Sequence, residues 1–448
     1  MPELAVPWGD GQLALALPSH WSLQQVAQPT MRPAEPDWPE RLARALGQPE
    51  VGLPLQQLLS ARRHGQITLV VEDLARHSPL PQILQVLMRE IAYARIGPDQ
   101  VDVVFATGMH PSLTAQQAIE KLGPLAHSLS WRSNSAFDPG AHLRLGQVGP
   151  VVVEVDRQVA QADLRVVISS ISPHLQAGFG GGYKMLLPGC ASLETIRGLH
   201  RLGVGRNPRQ WVGTEAHRNP MRQAIDAGGL MLDAQHGKTF AVQYLLDDAG
   251  QLAHLAVGEM LAAQQMMAKQ CAVSCGIVVD QPADVLITNA HPRDLDLWQG
   301  LKAVANTRWA VRPGGVIICL ARCAAGLGMA VPRWPLKPAA ARRVVQFLGH
   351  DALASMLTRW APRWAGDAAF FVRLALQAVH RNPILLVSPR LAAAGARFPA
   401  LPIYAQVEQA FETADKHLQG RPSKVLVFPS GGTTYPVLPV RLNGRQTD

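Results

Sequence analysis

Short apolar runs that end in polar or glycine-rich turns recur along the chain: ITLVVED (67–73), VDVVFATG (101–108), DLRVVISS (163–170), ADVLITNA (283–290), GGVIICLA (314–321) and PILLVSP (383–389). Each has the length and apolar density of a strand. Between several of them the spacing turns helical, as in LPQILQVLMREIAYARI (80–96) and TAQQAIEKLG (114–123). Strands alternating with helices predict an α/β architecture with mostly parallel sheets. The chain of 448 residues is too long for one ordinary domain, so two α/β domains are expected, with an active-site cleft between them. A boundary fits the stretch AKQCAVSCGIVVDQP (268–282), where helical spacing gives way to the next strand set. The reading is an N-terminal domain over 1–270, completed by a returning strand within 421–448 (KVLVFPSGGTTYPVLP), and a C-terminal domain over 275–415. The segment MRPAEPDWPE (31–40) reads as a proline-rich loop.

Charge and cysteine content narrow the partners. Net charge is +9, but the 42 Lys and Arg residues are spread without a run of five or six. That favours small anionic ligands over a nucleic-acid track, with plain surface charge as the other reading. Five cysteines, an odd number, give no secreted disulfide framework, and the first residues lack a basic start followed by an apolar stretch; a cytoplasmic protein is expected. Arg322 interrupts the most apolar segment, so no membrane span is expected. The pairs Cys271/Cys275 and Cys319/Cys323 have C-x3-C spacing, which departs from the usual zinc-ribbon C-x2-C; buried, inert thiols fit better.

In parallel sheets ligands gather at the carboxyl ends of strands. The residues there are rich in chemistry: Asp73, Arg76 and His77 after one run, His110 after the next, His174 after the third, and Gln299 and Lys302 following ADVLITNA. The stretch SPHLQAGFGGGYKMLLPGCASLETIRGLH (172–200) adds Gly178, Gly180, Gly181 and Gly182 ahead of Lys184, then His200. It fails as a Walker loop, since Tyr183, Lys184 and Met185 stand where Gly-Lys-Ser/Thr belongs, and as a dinucleotide fingerprint, since Tyr183 holds the last glycine position. What remains is a backbone that lets a flat or phosphorylated ligand approach closely, with Lys184 meeting it side-on. Ser192 suits a helix cap and Glu194 its first turn, which puts Leu193, Ile196 and His200 on one face.

This stretch resembles the signature of the lactate racemase family of nickel-pincer-nucleotide-dependent 2-hydroxyacid racemases and epimerases. The likeness extends over nearly the whole chain: EDLAR (72–76), ATGMH (106–110) and DLWQGLK (296–302) are similar to further family elements, and the His-x9-Lys-x15-His spacing around Leu-Pro-Gly is the specific one. The resemblance implies that Lys184 carries a nickel-pincer nucleotide (a pyridinium thioamide/thiocarboxylate mononucleotide) through a covalent thioamide link. His200 then completes the nickel coordination, and Asp73, Gly181 and Gly182 contact the cofactor. His110 and His174 become the two acid–base groups, Arg76, Gln299 and Lys302 hold the substrate carboxylate, and Trp298 lines the pocket. Partners implied are a small 2-hydroxycarboxylate and the proteins that make the pincer; homo-oligomerisation is left open.

The residue types suit that chemistry. Removing the α-proton of a 2-hydroxycarboxylate places a carbanion beside a carboxylate, so departure of the hydrogen as hydride to a cofactor is the easier route, through a planar 2-keto acid. The two enantiomers present the hydroxyl in different directions, and two histidines titrating near neutrality serve both. A guanidinium and an ammonium offset the carboxylate charge. Nickel accepts an imidazole ligand readily.

The chain also departs from the pattern: Leu74 where a second basic residue is frequent, Ala75 for threonine, His77 for proline, Pro111 for arginine, Tyr183 for arginine, Trp298 for tyrosine, HRNP (217–220) for Gly-Asn-Pro, and Phe370 and Phe371 where a Gln-Trp pair is expected. The Trp and Phe residues suit a bulkier, aromatic 2-hydroxyacid rather than lactate. Two other readings stand beside this one: a racemase-like scaffold that binds a nucleotide or hydroxyacid without turnover, and a nicotinamide-dependent 2-hydroxyacid dehydrogenase, which explains neither Lys184 nor His200.

Overall fold

The computed structural model of the chain describes residues 4–74, 76, 78–204, 210–328, 337–360, 369–398 and 400–439. Two compact units emerge. One comprises residues 31–203 and 214–274, the other 1–30, 204–213 and 275–448.

The first unit is built on a six-stranded sheet whose order, edge to edge, is Leu252–Glu259, Lys238–Leu246, Leu164–Ser170, Ile67–Val71, Val101–Phe105 and Ser130–Ser133. All neighbouring pairs are parallel except the first, which is antiparallel. The two central runs read from the sequence, Ile67–Val71 and Leu164–Ser170, are buried at every position, as strands covered on both faces must be. The Leu80–Tyr93 helix lays Ile83, Leu84, Leu87 and Ile91 into the core beside Leu69, Val103 and Val166. The proline-rich loop is shorter than expected: a helix, Trp38–Gly47, starts inside it and buries Trp38, Leu42 and Leu46.

The second unit carries a six-stranded, wholly parallel sheet in the order Ile403–Tyr404, Ile384–Val387, Val311–Leu320, Ala283–Asn289, Ser423–Phe428 and Trp21–Val26. Both sheets realise the expected α/β class with mostly parallel strands.

The expected domain limits need correction. The strand Ser423–Phe428 does not return to the first unit; Val425, Leu426 and Val427 pair in register with Val285, Leu286 and Ile287 of the second. The N-terminal strand Trp21–Val26 also belongs to that sheet, where Trp21 packs edge-on against Phe411 and donates its indole N–H to Asp415 at 3.3 Å. The physical reason is the helix Val407–Leu418: a crossover helix between parallel strands returns the chain to the same sheet. The boundary after the long helix falls between Ser274 and Cys275. All five cysteines are free and buried. No helix among the described residues is long and apolar enough to cross a membrane.

Candidate functional site

In the first unit the loops that follow the carboxyl ends of Ile67–Val71, Val101–Phe105 and Leu164–Ser170 carry Asp73 and Arg76, His110, and His174. The buried Glu72 ties two of these strand ends together: it accepts from the Ser170 backbone N–H at 2.7 Å and from the Tyr244 hydroxyl at 3.0 Å. Asp73, the next residue, turns its carboxylate to His110, with Oδ2 2.6 Å from Nδ1. The Asp73 side chain is largely buried while the imidazole is half-exposed. The tight turn of ATGMH is held by the His110 N–H on the Thr107 carbonyl and the Gly108 N–H on the Gly189 carbonyl, both 2.9 Å. Lys121, 7% exposed, donates its ammonium to the Arg76 carbonyl at 2.5 Å and so props the loop bearing Asp73 and Arg76. Burial lowers the Lys121 pKa, against the pull of the nearby Glu72 and Asp73 carboxylates. Ala75 and His77 lie outside the described residues.

His174 sits on a two-residue strand, Pro173–His174, paired antiparallel with Gly178–Phe179. The hairpin folds its own amides onto the ring: Nδ1 accepts from the Gln176 N–H at 3.2 Å and the Ala177 N–H at 3.0 Å. Gln176, itself buried, sends its side-chain amide to the His200 carbonyl at 3.2 Å, which couples this turn to the next helix.

The glycine turn is positioned from beneath. Gly181 and Gly182 both have φ in the left-handed region, +66° and +64°, and a Cβ on Gly182 would stand 2.6 Å from Gln264 Cγ. Arg222, 2% exposed, spreads its guanidinium under three successive carbonyls, those of Phe179, Gly180 and Gly181, and reaches Asp226 at 3.4 Å. Gln243 accepts the Gly182 N–H at 2.6 Å. With the carbonyls bound below, the loop passes into the 3-10 turn Gly182–Met185 that carries Lys184. Tyr183 points the other way, into the core, where its hydroxyl donates to Asp233 at 2.7 Å; Asp233 also faces the buried Arg165 at 3.2 Å. Burial, then the Asp233 charge, raises the Tyr183 pKa, so the phenol stays a donor.

His200 rides on the helix Leu193–Val204, capped as expected by Ser192, whose Oγ accepts the Thr195 N–H at 3.3 Å. Part of the residue reaches solvent, but its Nδ1 is sealed from it. Burial, with the nearby Lys184 ammonium as the lesser cause, lowers its pKa to about 3. The imidazole is therefore neutral at physiological pH, the form that coordinates a metal. Among the described residues no group of three or more His, Cys, Asp or Glu side chains could hold a metal by itself.

In the second unit Asp296 caps the helix Leu297–Thr307 by accepting the Gln299 N–H at 2.8 Å. This helix carries Trp298, Gln299 and Lys302, and the Lys302 ammonium donates to Gln299 Oε1 at 2.6 Å. The pairing follows from their i, i+3 spacing on one helical face. All three residues are partly exposed.

Residues 8–213 match the family described as the lactate racemase N-terminal domain. The chain is 26% identical over 341 residues to the lactate racemase of Thermoanaerobacterium thermosaccharolyticum, which covers 73% of this chain and 76% of the relative. The chain is related to the lactate racemases, whose family's N-terminal domain it matches over residues 8–213. A second lactate racemase, from Lactiplantibacillus plantarum, is 24% identical over 302 residues, covering 64% of this chain and 67% of the relative. The fold also matches the lactate racemase apoprotein structure from T. thermosaccharolyticum with a TM-score of 0.81 at 21% identity, over 97% of this chain and 100% of that one. A Thermotoga maritima protein matches with a TM-score of 0.63 at 16% identity, over 93% and 100%. Kinship with lactate racemases supports a racemase or epimerase activity.

Among the family departures, Tyr183 now has a structural account: it exchanges a charged side chain for a buried phenol anchored on Asp233. Sequence reading missed Arg222, Gln243, Gln176 and the Tyr183–Asp233–Arg165 group. The Tyr183 ring is packed directly on Gly229, where an added Cβ would lie 2.1 Å from Cγ of the ring. Gly229→Ala is therefore expected to displace Tyr183 and lower stability by about 1–3 kcal/mol, the usual cost of overpacking. Denaturant midpoints of the two proteins check this, and an unchanged midpoint would show that the ring has room to move. The side chains of Phe370 and Phe371 lie outside the described part of the chain.

Proposed function

We propose that this protein inverts the α-carbon of a 2-hydroxycarboxylate as a racemase or epimerase, with a nickel-pincer nucleotide attached at Lys184. The observation that carries the reading is the Lys184–His200 pair: an amine on a glycine-supported turn close enough to lower the pKa of an imidazole that burial already keeps neutral. Where such a cofactor binds, the neutral imidazole of His200 would hold its nickel and Lys184 would carry its covalent link. The left-handed turn at Gly181 and Gly182, packed against Ile171, Gln243 and Gln264, sets the position of Lys184, and Asp73 lies one loop away in the same unit. When bound, the cofactor supplies the hydride acceptor that no side chain can provide.

The chain's own residues do the rest. His110 and His174 move the hydroxyl proton, one for each enantiomer. Arg76 binds the substrate carboxylate, and Gln299 and Lys302 contribute a neutral donor and a cation to the same task. Trp298 offers an apolar wall where a tyrosine could hydrogen-bond, which favours a bulkier, aromatic 2-hydroxyacid over lactate. A substrate survey in which only lactate or polar sugar acids turned over would exclude that preference.

The deciding experiment is intact mass and nickel content of the protein produced together with pincer-making enzymes, with Lys184→Ala as control. A covalent adduct with nickel that is absent from the variant is expected. A single 2-hydroxyacid enantiomer given to the loaded protein should then drift toward a 1:1 mixture. No adduct under conditions that load a known lactate racemase would replace this reading with a binding scaffold.

A further inference from the structure

We infer that the two active-site histidines rest in opposite tautomers, and that Asp73 is the positioning residue that makes His110 the proton acceptor. The inference deepens the acid–base reading above and rests on it. A carboxylate 2.6 Å from an imidazole nitrogen can only accept, so Nδ1 of His110 carries the hydrogen. A neutral imidazole has a single N–H, and the lone pair of His110 is thereby placed on Nε2. Lys121, buried and electrostatically coupled to Asp73, favours the ionised carboxylate that this arrangement needs.

His174 is fixed the other way. Two amide hydrogens, from Gln176 and Ala177, point at its Nδ1, so the lone pair is there and the ring hydrogen is on Nε2. His110 thus offers a base and His174 a donor. For a substrate whose hydroxyl faces His110, the O–H bond breaks as an Nε2–H bond forms, and Asp73 offsets the imidazolium charge. To deliver a proton, His174 must become doubly protonated, which requires a hydrogen on Nδ1 where the two amides already point. The ring must first leave the Pro173–Phe179 hairpin contacts. One histidine is ready as it stands, and the other must reorient in each cycle.

The family resemblance gives Asp73 to the cofactor, and the two roles separate experimentally. The full-length, cofactor-free chain labelled with 15N-histidine is examined by long-range 1H–15N correlation at a pH where both rings are neutral, with His110→Gln and His174→Gln for assignment. His110 is expected as the Nδ1–H tautomer and His174 as the Nε2–H tautomer. In Asp73→Asn the His110 pattern should move toward the opposite tautomer while that of His174 stays. Loaded Asp73→Asn enzyme should retain its Lys184 adduct and lose about 10⁴-fold in kcat, the scale set by the wrong-tautomer variant of a serine-protease triad. Identical tautomers at both histidines, or a His110 pattern indifferent to Asp73→Asn, would overturn the inference. A missing adduct in the variant would instead return Asp73 to the cofactor. The tautomer measurement needs no cofactor, so a failure of the pincer reading itself leaves its outcome distinct.

Discussion

Arg222→Met is expected to destabilise the first unit by about 3–5 kcal/mol and to cut cofactor loading at Lys184. The guanidinium is fully buried and has no solvent to replace it. Its removal takes a charged donor from the carbonyls of Phe179, Gly180 and Gly181, leaving Gly180 only the Gln264 amide at 3.3 Å, and leaves the Asp226 carboxylate without its ion pair. Removing one partner of a buried charged pair costs on that scale. The Gly181 carbonyl also accepts the Lys184 N–H at 3.3 Å, so the turn that presents the lysine is held through the same atom.

The deficit should depend on pH, with a definite sign. Burial raises the Asp226 pKa above its ordinary value, and Arg222 opposes that rise. Without Arg222 the folded-state pKa climbs further above the unfolded one, so the folded variant binds a proton more tightly than its unfolded chain. A group with a raised folded pKa contributes its stability below the unfolded pKa and loses it as pH rises through the folded pKa. The variant should therefore be most deficient at neutral pH and recover part of the loss as pH falls toward the ordinary carboxylate value of 3.8. Urea midpoints at pH 7 and pH 5 for the two proteins measure this. An equal or larger deficit at pH 5 would mean that Asp226 is not the stranded charge.

Local pattern carried a large part of this fold because parallel strands covered on both faces announce themselves. Ile67–Val71 and Ala283–Asn289 appear as near-continuous apolar runs, and the chemistry follows at their carboxyl ends. Domain membership was not local. Ser423–Phe428 looks like any other apolar strand, and what assigns it to the second sheet is the crossover helix Val407–Leu418 and its register against Val285–Thr288. The site divides in the same way. The spacing of His174, Lys184 and His200 is readable, because one short loop and one helix set it. The buried roles of Arg165 and Arg222 have no local signal, because decisive partners lie far along the chain: Asp233 is 68 residues from Arg165, and the Gly181 carbonyl is 41 from Arg222. Asp73 was legible as a functional residue but not as the partner of His110, 37 positions away on the neighbouring strand's loop.

Asp233→Ala is expected to cost about 3–5 kcal/mol by the same logic of a broken buried pair. Asp233 receives the Tyr183 hydroxyl at 2.7 Å, the Thr239 hydroxyl at 2.5 Å and the Arg165 guanidinium at 3.2 Å, and Arg165 is wholly buried. The charge, not merely the hydrogen bonds, dominates the loss. Arg165 keeps acceptors in the Ala160 and His236 carbonyls at 3.0 and 3.1 Å, so its donors are largely satisfied, yet its positive charge would be left uncompensated where burial already lowers its pKa. Asp233→Asn preserves the shape and one acceptor but removes the charge, so it should fall as far as the electrostatic share dictates. The double variant Arg165→Met/Asp233→Leu removes both charges and should recover much of the single-variant loss, giving an interaction energy of about 1–3 kcal/mol in a double-mutant cycle. Because Tyr183 precedes Lys184 on the same 3-10 turn, Tyr183→Phe separates anchoring from charge: it should leave the ion pair intact and change the loading of Lys184 more than the denaturation midpoint. Additive single and double losses would show that Arg165 is neutralised by its backbone acceptors alone. The phenol would then be the main reason for an aspartate at position 233.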